Sequence, residues 1–448
     1  MPLPIHRCPP EVLMAFVEAS EHADRCTLRT LNKAWRSLAT SFVFEALVLE
    51  PTKESTKKML ALIRHRLARW AKRLEYRVDD ETDHLLTPDP SRWLARPGTD
   101  PAFSAAMMIL SKMPNCFPLL EKFCVRLFSG RFIAPMHFPG SAEEVEQGVP
   151  KPIVQHIQIL EALNTVGEAP PPRIRTLELH NILPLPDASI WEEGFKNLMV
   201  CLESLTISVH RNRSLDNSEF WETFWAGYLP DYILAPTQPR LTSLTLVSDQ
   251  PVGAELPGID LSALHFPRLQ HLKLGGFCFD MSDCLESFIV NHAPTLTSLV
   301  LDSCPLWTGN NFQNKMPKRK WSQIFARFEE HLTHLTYLRV MCKYARLWGL
   351  NTEDSLRTEL ELTYETSTSG YGYDRGEPVA ATVEHNDRKA LENFYSTVDE
   401  RRKPLGLTPL DRGQVDPNRL VEQLPQIMDL LELWLRCSIY HSMRVVYD

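Results

Sequence analysis

The sequence predicts an α/β solenoid, in which a curved parallel sheet carries helices on its outer side, preceded by a small all-α module. Three observations lead to this prediction. A pattern of apolar residues at i, i+3 and i+5 recurs along residues 44–340, its copies return at a nearly constant distance, and two apolar stripes with helical spacing precede the first copy. Such a period indicates strand–turn–helix units that bury one continuous core by stacking.

The pattern returns with a regular period in seven copies, which begin at Leu120, Ile174, Leu202, Leu241, Leu269, Leu296 and Leu335. Three of the six spacings are nearly equal, at roughly 27 residues, which is a usual length for a strand–helix repeat. The first spacing is twice as long. The spacings that begin at Leu202 and Leu296 equal one repeat with about eleven extra residues. The extra residues fall within 211–237 and 307–330, and we call these two segments the first and the second insertion.

Two further regularities support the array. Five copies have Pro two residues before their first apolar position, where it ends a preceding helix. Two earlier copies, beginning at Phe44 and Ala71, extend the array towards the N-terminus. The alternative to the whole array is a non-repetitive α/β domain with chance leucine spacing.

Alternation along each predicted strand assigns its side chains to two faces. The apolar residues should fill the solenoid core, and the residues between them should line its concave face, among them Thr176, Glu178, Ser243, Thr245, His271, Lys273, Ser298 and Val300. We interpret residues 154–160 as the helix before the Ile174 strand, and residues 130–152 as either a degenerate repeat or a loop.

The most regular copy is Leu296-x-x-Leu299-x-Leu301-x-x-Cys304-x-Leu306. It resembles the leucine-rich repeat, a family that takes Asn or Cys at the position of Cys304. The other copies lack Asn and Cys there, so the resemblance implies a degenerate leucine-rich-repeat solenoid with irregular curvature. We assign residues 44–365 to this solenoid.

The array weakens after Val340, which suits a terminal cap. Residues 367–376, rich in Gly, Tyr and Ser, are interpreted as an exposed loop, and residues 377–403 are polar and charged. Residues 425–440 have a strong amphipathic helical pattern and should pack back on the last repeat. Residues 366–448 are therefore predicted to form a loop and a helical cap.

Residues 1–43 form the predicted all-α module. Their apolar residues fall on two helical stripes, which begin after Pro9, Pro10 and Glu11 and consist of Val12, Leu13, Phe16 and Val17, and then of Leu28, Leu31, Trp35 and Leu38. Because so short a module makes a very small core, it either packs on the repeats or completes its core with a partner.

At these residues the sequence resembles the F-box family. The segments Cys8 to Leu13, Asp24 to Leu31 and Lys33 to Ala39 follow the three parts of that family's pattern in order and approximate spacing. An F-box followed by leucine-rich repeats is similar to the substrate receptors of fungal SCF ubiquitin ligases. The resemblance implies that the two stripes, with Pro9, Pro10 and Glu11, bind a Skp-type adaptor and, through it, a cullin scaffold.

Three residues depart from the F-box pattern. Cys8, Ser20 and Arg25 stand where the family has leucine, and each removes apolar surface from the adaptor-binding face. A buried leucine side chain contributes roughly 1.5–3 kcal/mol, so these changes predict weaker adaptor binding. The alternative is a helical cap that only seals the first repeat.

The two insertions suggest where a target protein binds, because insertions in solenoids map to loops that are often the binding face. Aromatic residues anchor interfaces most often. The candidate target-binding residues are Trp221, Trp225, Tyr228, Trp307, Lys318, Arg319 and Lys320. In the alternative interpretation Trp221, Phe224, Trp225 and Tyr228 form the core face of a repeat helix, with at least one aromatic residue of the insertion left exposed.

No catalytic residue, metal ligand or cofactor site is predicted. The chain has no P-loop, no G-x-S-x-G, no H-E-x-x-H and no C-x-x-C, and His331-x-x-His334 lacks further nearby ligands. The net charge of −8 argues against a general nucleic-acid binder, and no apolar stretch is long enough for a membrane span. An enzyme would need a cluster of titratable residues that the sequence does not reveal.

The sequence therefore predicts a non-catalytic substrate-recognition subunit of an SCF-type ubiquitin ligase, located in the cytoplasm or the nucleus or both. The alternative function is a leucine-rich-repeat scaffold that binds proteins outside any ligase. The basic run at Lys318, Arg319 and Lys320 is either ordinary surface or a short nuclear import signal.

Overall fold

The structure of the protein is a computed structural model. The residues it describes are 8–78, 94–95, 101–127, 149–168, 173–185, 187–210, 218–253, 258–279, 284–307, 319–341, 362, 364–368, 372–375 and 381–410.

Three helices form the N-terminal module: α1 (Pro10–Ala19), α2 (His22–Leu31) and α3 (Lys33–Val43). Proline at the start of α1 costs no hydrogen bond, because the first N–H groups of a helix have no partner within the helix. Asn32 begins α3, since its side-chain oxygen accepts the N–H groups of Ala34 and Trp35 at 3.0 Å.

Nine parallel strands form one continuous sheet, in which neighbours in the chain are neighbours in space. They are β1 (Ala46–Leu49), β2 (Arg73–Arg77), β3 (Lys122–Arg126), β4 (Thr176–Ile182), β5 (Ser204–Val209), β6 (Ser243–Val252), β7 (His271–Phe277), β8 (Ser298–Asp302) and β9 (Tyr337–Met341). Each strand coincides with one copy of the sequence pattern. This α/β arrangement with outer helices is consistent with a repeat solenoid.

One apolar residue from each strand stacks in register across the whole sheet. The stacked residues are Leu47, Leu74, Phe123, Leu177, Leu205, Leu244, Leu272, Leu299 and Leu338. All nine are at most 9% exposed, whereas the alternating residues expected on the concave face are half-buried, or exposed in the case of His271. The predicted stacking of leucines in adjacent parallel strands is confirmed.

Helices cross over between the strands on the outer side of the sheet. They are α4 (Lys53–Arg64), α5 (Pro101–Ser111), α6 (Met113–Cys116), α7 (Lys151–Glu168), α8 (Glu193–Val200), α9 (Ser218–Thr223), which continues into a π-helical stretch at Phe224–Leu234, α10 (Cys284–Asn291) and α11 (Trp321–His331). Short 3₁₀ turns occur at Ala68–Trp70, Ala188–Trp191 and Ala235–Thr237. The helix predicted over 154–160 lies within α7.

The doubled spacing between Leu120 and Ile174 does not contain a further strand of this sheet. β3 pairs directly with β4, so that Phe123 is opposite Leu177 and Val125 is opposite Leu179. Most of residues 130–152, predicted to be a degenerate repeat or a loop, lie outside the described residues, and no strand stands between β3 and β4. The connection from β3 to β4 is one long crossover that includes α7.

Side chains tie successive repeats together where the strands end. The thiol of Cys304 lies 3.5 Å from the carbonyl oxygen of Leu274, and burial raises its pKa to about 12. In β4 the amide of Asn181 donates to the carbonyl of Leu127 at 3.2 Å, with a backbone φ of 60° that Asn tolerates better than most residues. These side chains provide hydrogen bonds to backbone carbonyl groups that the strand pairing does not use.

A buried histidine connects α10 to the turn before β7. The Nδ1 of His292 lies 2.7 Å from the carbonyl oxygen of Phe288, and its Nε2 accepts the backbone N–H of Phe266 at 2.9 Å. A ring that donates at one nitrogen and accepts at the other is neutral. Burial, the largest cause, lowers the pKa of His292 and favours this neutral form.

The chain closes the far end of the sheet with α12 (Ala381–Arg402), followed by a 3₁₀ turn at Lys403–Leu405. Its buried face packs beside α11, and it consists of Val383, Leu391, Phe394, Tyr395 and Val398. The hydroxyl oxygen of Tyr395 accepts the backbone N–H of Val340 in β9 at 2.9 Å. The helix predicted over 425–440 lies outside the described residues.

Part of the predicted loop at 367–376 is a β-hairpin. Strand Tyr364–Thr368 pairs antiparallel with Gly372–Arg375 and parallel with the short strand Leu306–Trp307. Threonine and tyrosine favour the extended pleated backbone, and here that preference outweighs the loop signal of the glycines. A separate two-stranded pair joins Leu94–Ala95 to Val149–Pro150.

The stacked core predicts a large loss of stability from one truncation. Leu205 is fully buried in β5 between Leu177 and Leu244, so Leu205→Ala should reduce the free energy of unfolding by about 2–5 kcal/mol, as a cavity in a packed core does. Urea denaturation followed by circular dichroism measures this change. The neighbouring concave residue gives the control, because Ser204→Ala should have little effect. Equal effects of the two substitutions would contradict the assigned register.

Candidate functional site

The N-terminal module has a core of very few residues. Val17, Trp35 and Ala39 are buried, with exposed fractions of 0%, 5% and 0%, and partly buried apolar residues surround them. These surrounding residues are Leu13, Leu28, Leu38 and Phe42. Helix α2 contributes no buried residue at all. A core this small leaves apolar side chains of the module without cover.

The uncovered side chains are the candidate functional surface of the module. Val12, Phe16 and Leu31 are 55%, 57% and 60% exposed, and Met14 is also exposed. Val12 and Phe16 lie one turn apart and share a face of α1. The ring of Phe16 packs on Trp35, with 5.9 Å between centroids, which fixes the position of the ring. We call Val12, Phe16 and Leu31 the exposed apolar set.

The eleven residues predicted to bind an adaptor are thus divided between the core and the surface. Val17 and Trp35 are buried in the core, and Leu13, Leu28 and Leu38 pack against it. Pro9 and Glu11 are exposed, together with the exposed apolar set, whereas the side chain of Pro10 is outside the description. The second stripe does not lie on one helix. Asn32 begins α3, so Leu28 and Leu31 belong to α2 whereas Trp35 and Leu38 belong to α3.

Arg25 and Ser20, two of the residues that depart from the F-box pattern, make hydrogen bonds within the N-terminal module. The guanidinium of Arg25 donates to the carbonyl of Val17 at 2.9 Å and to that of Glu18 at 2.5 Å, and it lies 5.6 Å from the centre of the Phe42 ring. The hydroxyl of Ser20 donates to the carbonyl of Phe16 at 2.7 Å. Carbonyls at a helix end lack partners within the helix and favour a positive charge nearby. Arg25 therefore joins α1, α2 and α3.

The concave face of the sheet carries charges that are already paired across neighbouring strands. Ion pairs join Arg77 to Glu50, Arg126 to Glu75, Lys122 to Glu178 and Lys273 to Asp302 at 2.6–3.8 Å, and Nδ1 of His210 lies 2.7 Å from the carboxylate of Asp249. Between them, β5 and β6 present small hydroxyl side chains, which are Ser204, Thr206, Ser208, Ser243 and Thr245. This face is polar, with its charges largely compensated.

The aromatic residues of the first insertion are mostly core. Trp221 and Trp225 are 4% and 0% exposed, and their rings meet edge to face at 5.6 Å. Trp225 also meets Phe277 of β7 at 5.6 Å. As a result, neither Trp221 nor Trp225 presents a ring to a target, and the interpretation of these residues as a core face describes them better.

One aromatic cluster of the insertion does reach the surface. Trp191, Tyr228 and Tyr232 have their ring centroids 5.6–6.2 Å apart, and Trp191 and Tyr232 are 48% and 42% exposed while Tyr228 is half-buried. The expectation that at least one aromatic residue of the insertion remains exposed is met by Tyr232. Trp191 precedes α8, outside both insertions, and the repeat pattern gave no signal for it.

Of the residues predicted to bind a target in the second insertion, Trp307 is buried and Lys320 is half-buried. Trp307 is 5% exposed, and its backbone N–H donates to the carbonyl of Phe279 at 2.7 Å. The backbone N–H of Lys320 donates to the side chain of Gln323, so Lys320 begins α11. Lys318 lies outside the described residues.

Arg319 belongs to a buried charge network. It pairs with Glu286 of α10 at 2.5 Å, and Arg327 of α11 pairs with the other oxygen of Glu286 at 3.3 Å. The side chains of Glu286 and Arg319 are 2% and 15% exposed. Arg319 is therefore an internal bridge between adjacent outer helices, and its predicted role as a surface contact is wrong.

Comparisons with known proteins add little. No family model matches this chain, and no curated protein matches it. Among solved structures, the chain is similar to one described as the crystal structure of the Rad7 and Elc1 complex in yeast, with 11% sequence identity and a TM-score of 0.26. The match covers 79% of this chain and 92% of the matched chain. A TM-score this low carries no argument about fold or function. Among the described helices, none is long and apolar enough to cross a membrane.

The buried charge network predicts how much stability is lost when the charge of Glu286 is removed. Glu286→Gln removes the negative charge between Arg319 and Arg327, and breaking a fully buried pair typically costs about 3–5 kcal/mol. Because Arg327 is 32% exposed, solvent compensates part of the loss, and we expect the free energy of unfolding to fall by about 2–3 kcal/mol. Urea denaturation at pH 7 measures it.

The control for this prediction is an exposed ion pair. Glu384→Gln removes the exposed partner of Arg388 in α12 and should leave the unfolding curve unchanged. If Glu286→Gln changes the unfolding curve no more than Glu384→Gln does, the buried network does not contribute to stability.

A second prediction concerns how the stability of the fold depends on pH. Burial lowers the pKa of His156 in α7 to about 4, with Asp187 as its charged neighbour, and burial also lowers the pKa values of His180 and His292. An unfolded histidine has a pKa of about 6.5, so below that pH the unfolded chain binds more protons than the folded one. Stability should therefore be fully present above pH 6.5 and should fall as the pH drops towards 4, with about 3 kcal/mol from His156 alone.

Urea denaturation at several pH values between 7.5 and 4.5 tests this dependence. His156→Asn keeps a hydrogen-bonding side chain but cannot titrate, so its stability should vary less over this range than that of the natural chain. The exposed residue His334 gives the control, and His334→Asn should retain the natural profile. Parallel profiles for His156→Asn and the natural chain would show that His156 is not the titrating group.

Proposed function

We propose that this protein is a non-catalytic substrate-recognition subunit of an SCF-type ubiquitin ligase. In this proposal the N-terminal module is an F-box that binds a Skp-type adaptor, which links it to a cullin scaffold. The sheet and its outer helices form a leucine-rich-repeat solenoid that holds a target protein. Such a ligase subunit would work in the cytoplasm or the nucleus.

The observation that carries the proposal is the exposed apolar set on the N-terminal module. Single exposed apolar side chains are ordinary on protein surfaces. Here, however, Val12, Phe16 and Leu31 are all more than half exposed within a short segment that has only a few buried residues. They occur at positions where the F-box resemblance implies contact with an adaptor. A partner that covered them would complete a core that the module cannot complete alone.

The mechanism that follows is tethering. Holding a target on the solenoid would raise its effective concentration near the ubiquitin-conjugating enzyme that the scaffold recruits. The chain's own residues would bind and orient, and none would make or break a bond. Helix α12 packs on the last strand of the sheet, at the end opposite the N-terminal module.

A second candidate function is a leucine-rich-repeat scaffold that acts outside any ligase. It is favoured by Ser20 and Arg25, which have replaced family leucines and serve the module's internal hydrogen bonds. Under this candidate the three helices only close the first repeat. The two functions differ in a single measurable property, the affinity for a Skp-type adaptor.

Adaptor binding can be measured with the purified full-length chain by calorimetry or by surface plasmon resonance. We expect a complex at micromolar concentrations or below. The double substitution of Val12→Ser and Leu31→Ser should weaken it by at least about tenfold, because each buried aliphatic side chain contributes roughly 1.5–3 kcal/mol and about 1.4 kcal/mol is tenfold. Since both side chains are exposed in the free protein, the thermal stability should not change.

Matched controls are available on the C-terminal segment. Leu405 and Leu407 are 60% and 45% exposed, so a double substitution to Ser changes similar side chains far from the module. This variant should bind the adaptor like the natural chain. If the natural chain shows no adaptor binding at micromolar concentrations, the ligase function is excluded and the scaffold function is favoured.

A further inference from the structure

A thiol, a carboxylate and an imidazole lie together on the concave face where β3 and β4 pair. Cys124 is opposite Glu178 in the register of the two strands, and His180 follows two residues later on the same side of β4. One ligand atom from each residue, a sulfur, an oxygen and a ring nitrogen, lies within 4.8 Å of the other two. The sequence gave no metal-binding spacing for these residues, because the whole crossover from β3 to β4 separates Cys124 from Glu178.

The thiol of Cys124 donates a hydrogen bond to the carboxylate of Glu178, whereas the ring of His180 has no such bond within the cluster. The Nε2 of His180 is 3.7 Å from an oxygen of Glu178, which is too long for a hydrogen bond. This Nε2 is buried and has no hydrogen-bond partner among the described residues. Nitrogen, oxygen and sulfur ligands lie about 2.0–2.3 Å from a tetrahedral zinc ion, which places two of them roughly 3.3–3.7 Å apart.

Neighbouring charges hold the cluster in place. Lys122 contacts Oε1 of Glu178 at 2.6 Å, while Oε2 is the oxygen near His180. Arg126 is paired with Glu75 at 3.0 Å. Burial would raise the pKa of Glu178, but the hydrogen bond and charge of Lys122 outweigh it and keep the pKa below its usual value. An ionised carboxylate with one oxygen fixed by a second residue is the usual arrangement of a metal ligand.

Burial raises the pKa of the Cys124 thiol to about 12, so without an ion this cysteine is a poor nucleophile at neutral pH. A coordinating cation converts such a thiol to a thiolate.

We propose that Cys124, Glu178 and His180 bind a divalent ion of the zinc class on the concave face. Mixed sulfur, nitrogen and oxygen ligands suit Zn²⁺, and three protein ligands leave a fourth position open towards the concave face. On binding, the S–H bond of Cys124 breaks, a sulfur–metal bond forms, and the proton passes to solvent. The ion would link β3 to β4 across the long crossover. This proposal is independent of the ligase function.

Cobalt(II) is the probe for this site, because a thiolate ligand gives it a charge-transfer absorption band and tetrahedral ligation gives it visible bands. The full-length chain, freed of metal with a chelator, should develop both at one equivalent of Co²⁺, and Zn²⁺ should displace the cobalt. Zn²⁺ should also raise the melting temperature, as any ligand of the folded state does. Cys124→Ser should abolish the charge-transfer band, and His180→Asn should weaken binding.

Glu178→Gln serves as the variant that is least disruptive, since it keeps the shape of the side chain. It should fold like the natural chain and lose most of its affinity for Co²⁺. The matched control is His210→Asn, because His210 is also a concave histidine paired with a carboxylate, that of Asp249 at 2.7 Å. His210→Asn should bind Co²⁺ like the natural chain. The proposal is overturned if the natural chain shows no thiolate-to-cobalt band, or if the band survives in Cys124→Ser.

Discussion

The in-register parallel pairing of nine strands is the constraint on which the rest of this structure depends. Because one apolar residue per strand stacks from Leu47 to Leu338, the side chains on either side of it are directed to the concave face. A slip of one residue in any strand would bury charges such as Glu178 and expose the leucines, so the hydrophobic pattern specifies the register strongly. The cross-strand ion pairs and the cluster at Cys124 exist only because this register brings residues far apart in the chain to the same height.

A stacked sheet has an edge strand at each end that needs a covering element, and the two ends of this sheet are covered to different extents. At the C-terminal end α12 runs parallel to α11, and two of its side chains bind free backbone groups at the two ends of α11. Asp387 accepts the N–H of Ser322 at 2.8 Å, and Arg401 donates to the carbonyls of Leu332 and Glu329. An acid at the helix start and a cation at its end both complement the helix dipole. At the N-terminal end the module has an incomplete core. The molecule thus has one end closed by its own residues and one end with apolar surface still exposed.

The period of the apolar pattern was sufficient to predict the strands, their order and the stacked residues, because each strand needs the same three positions to be buried. The pattern could not show how many residues a crossover contains. For this reason the doubled spacing after Leu120 suggested an extra repeat, and the proximity of Cys124 to Glu178 was missed. Asn181, which donates to the carbonyl of Leu127, stands one residue before the position that the leucine-rich-repeat pattern predicts, and its backbone has a positive φ of 60°. The spacing of apolar residues does not determine the backbone φ at a single position.

The predicted target-binding residues were chosen for their chemistry, and that choice failed where burial decided the outcome. A tryptophan removes large apolar area from water, so Trp221 and Trp225 of the inserted helix turn inward, whereas Tyr228 stays half-buried and Tyr232 stays exposed beside Trp191. Arg319 was drawn inward by Glu286, whose buried charge needs a partner. The same reasoning limits the concave face as a binding surface. Its charges are compensated, so a charged target would gain only the difference between new ion pairs and existing ones. Affinity for a partner must then come mainly from apolar area that the folded chain has not buried. Among the described residues this area includes the exposed apolar set, the Trp191 cluster and separate side chains such as Val48, Tyr337 and Leu405.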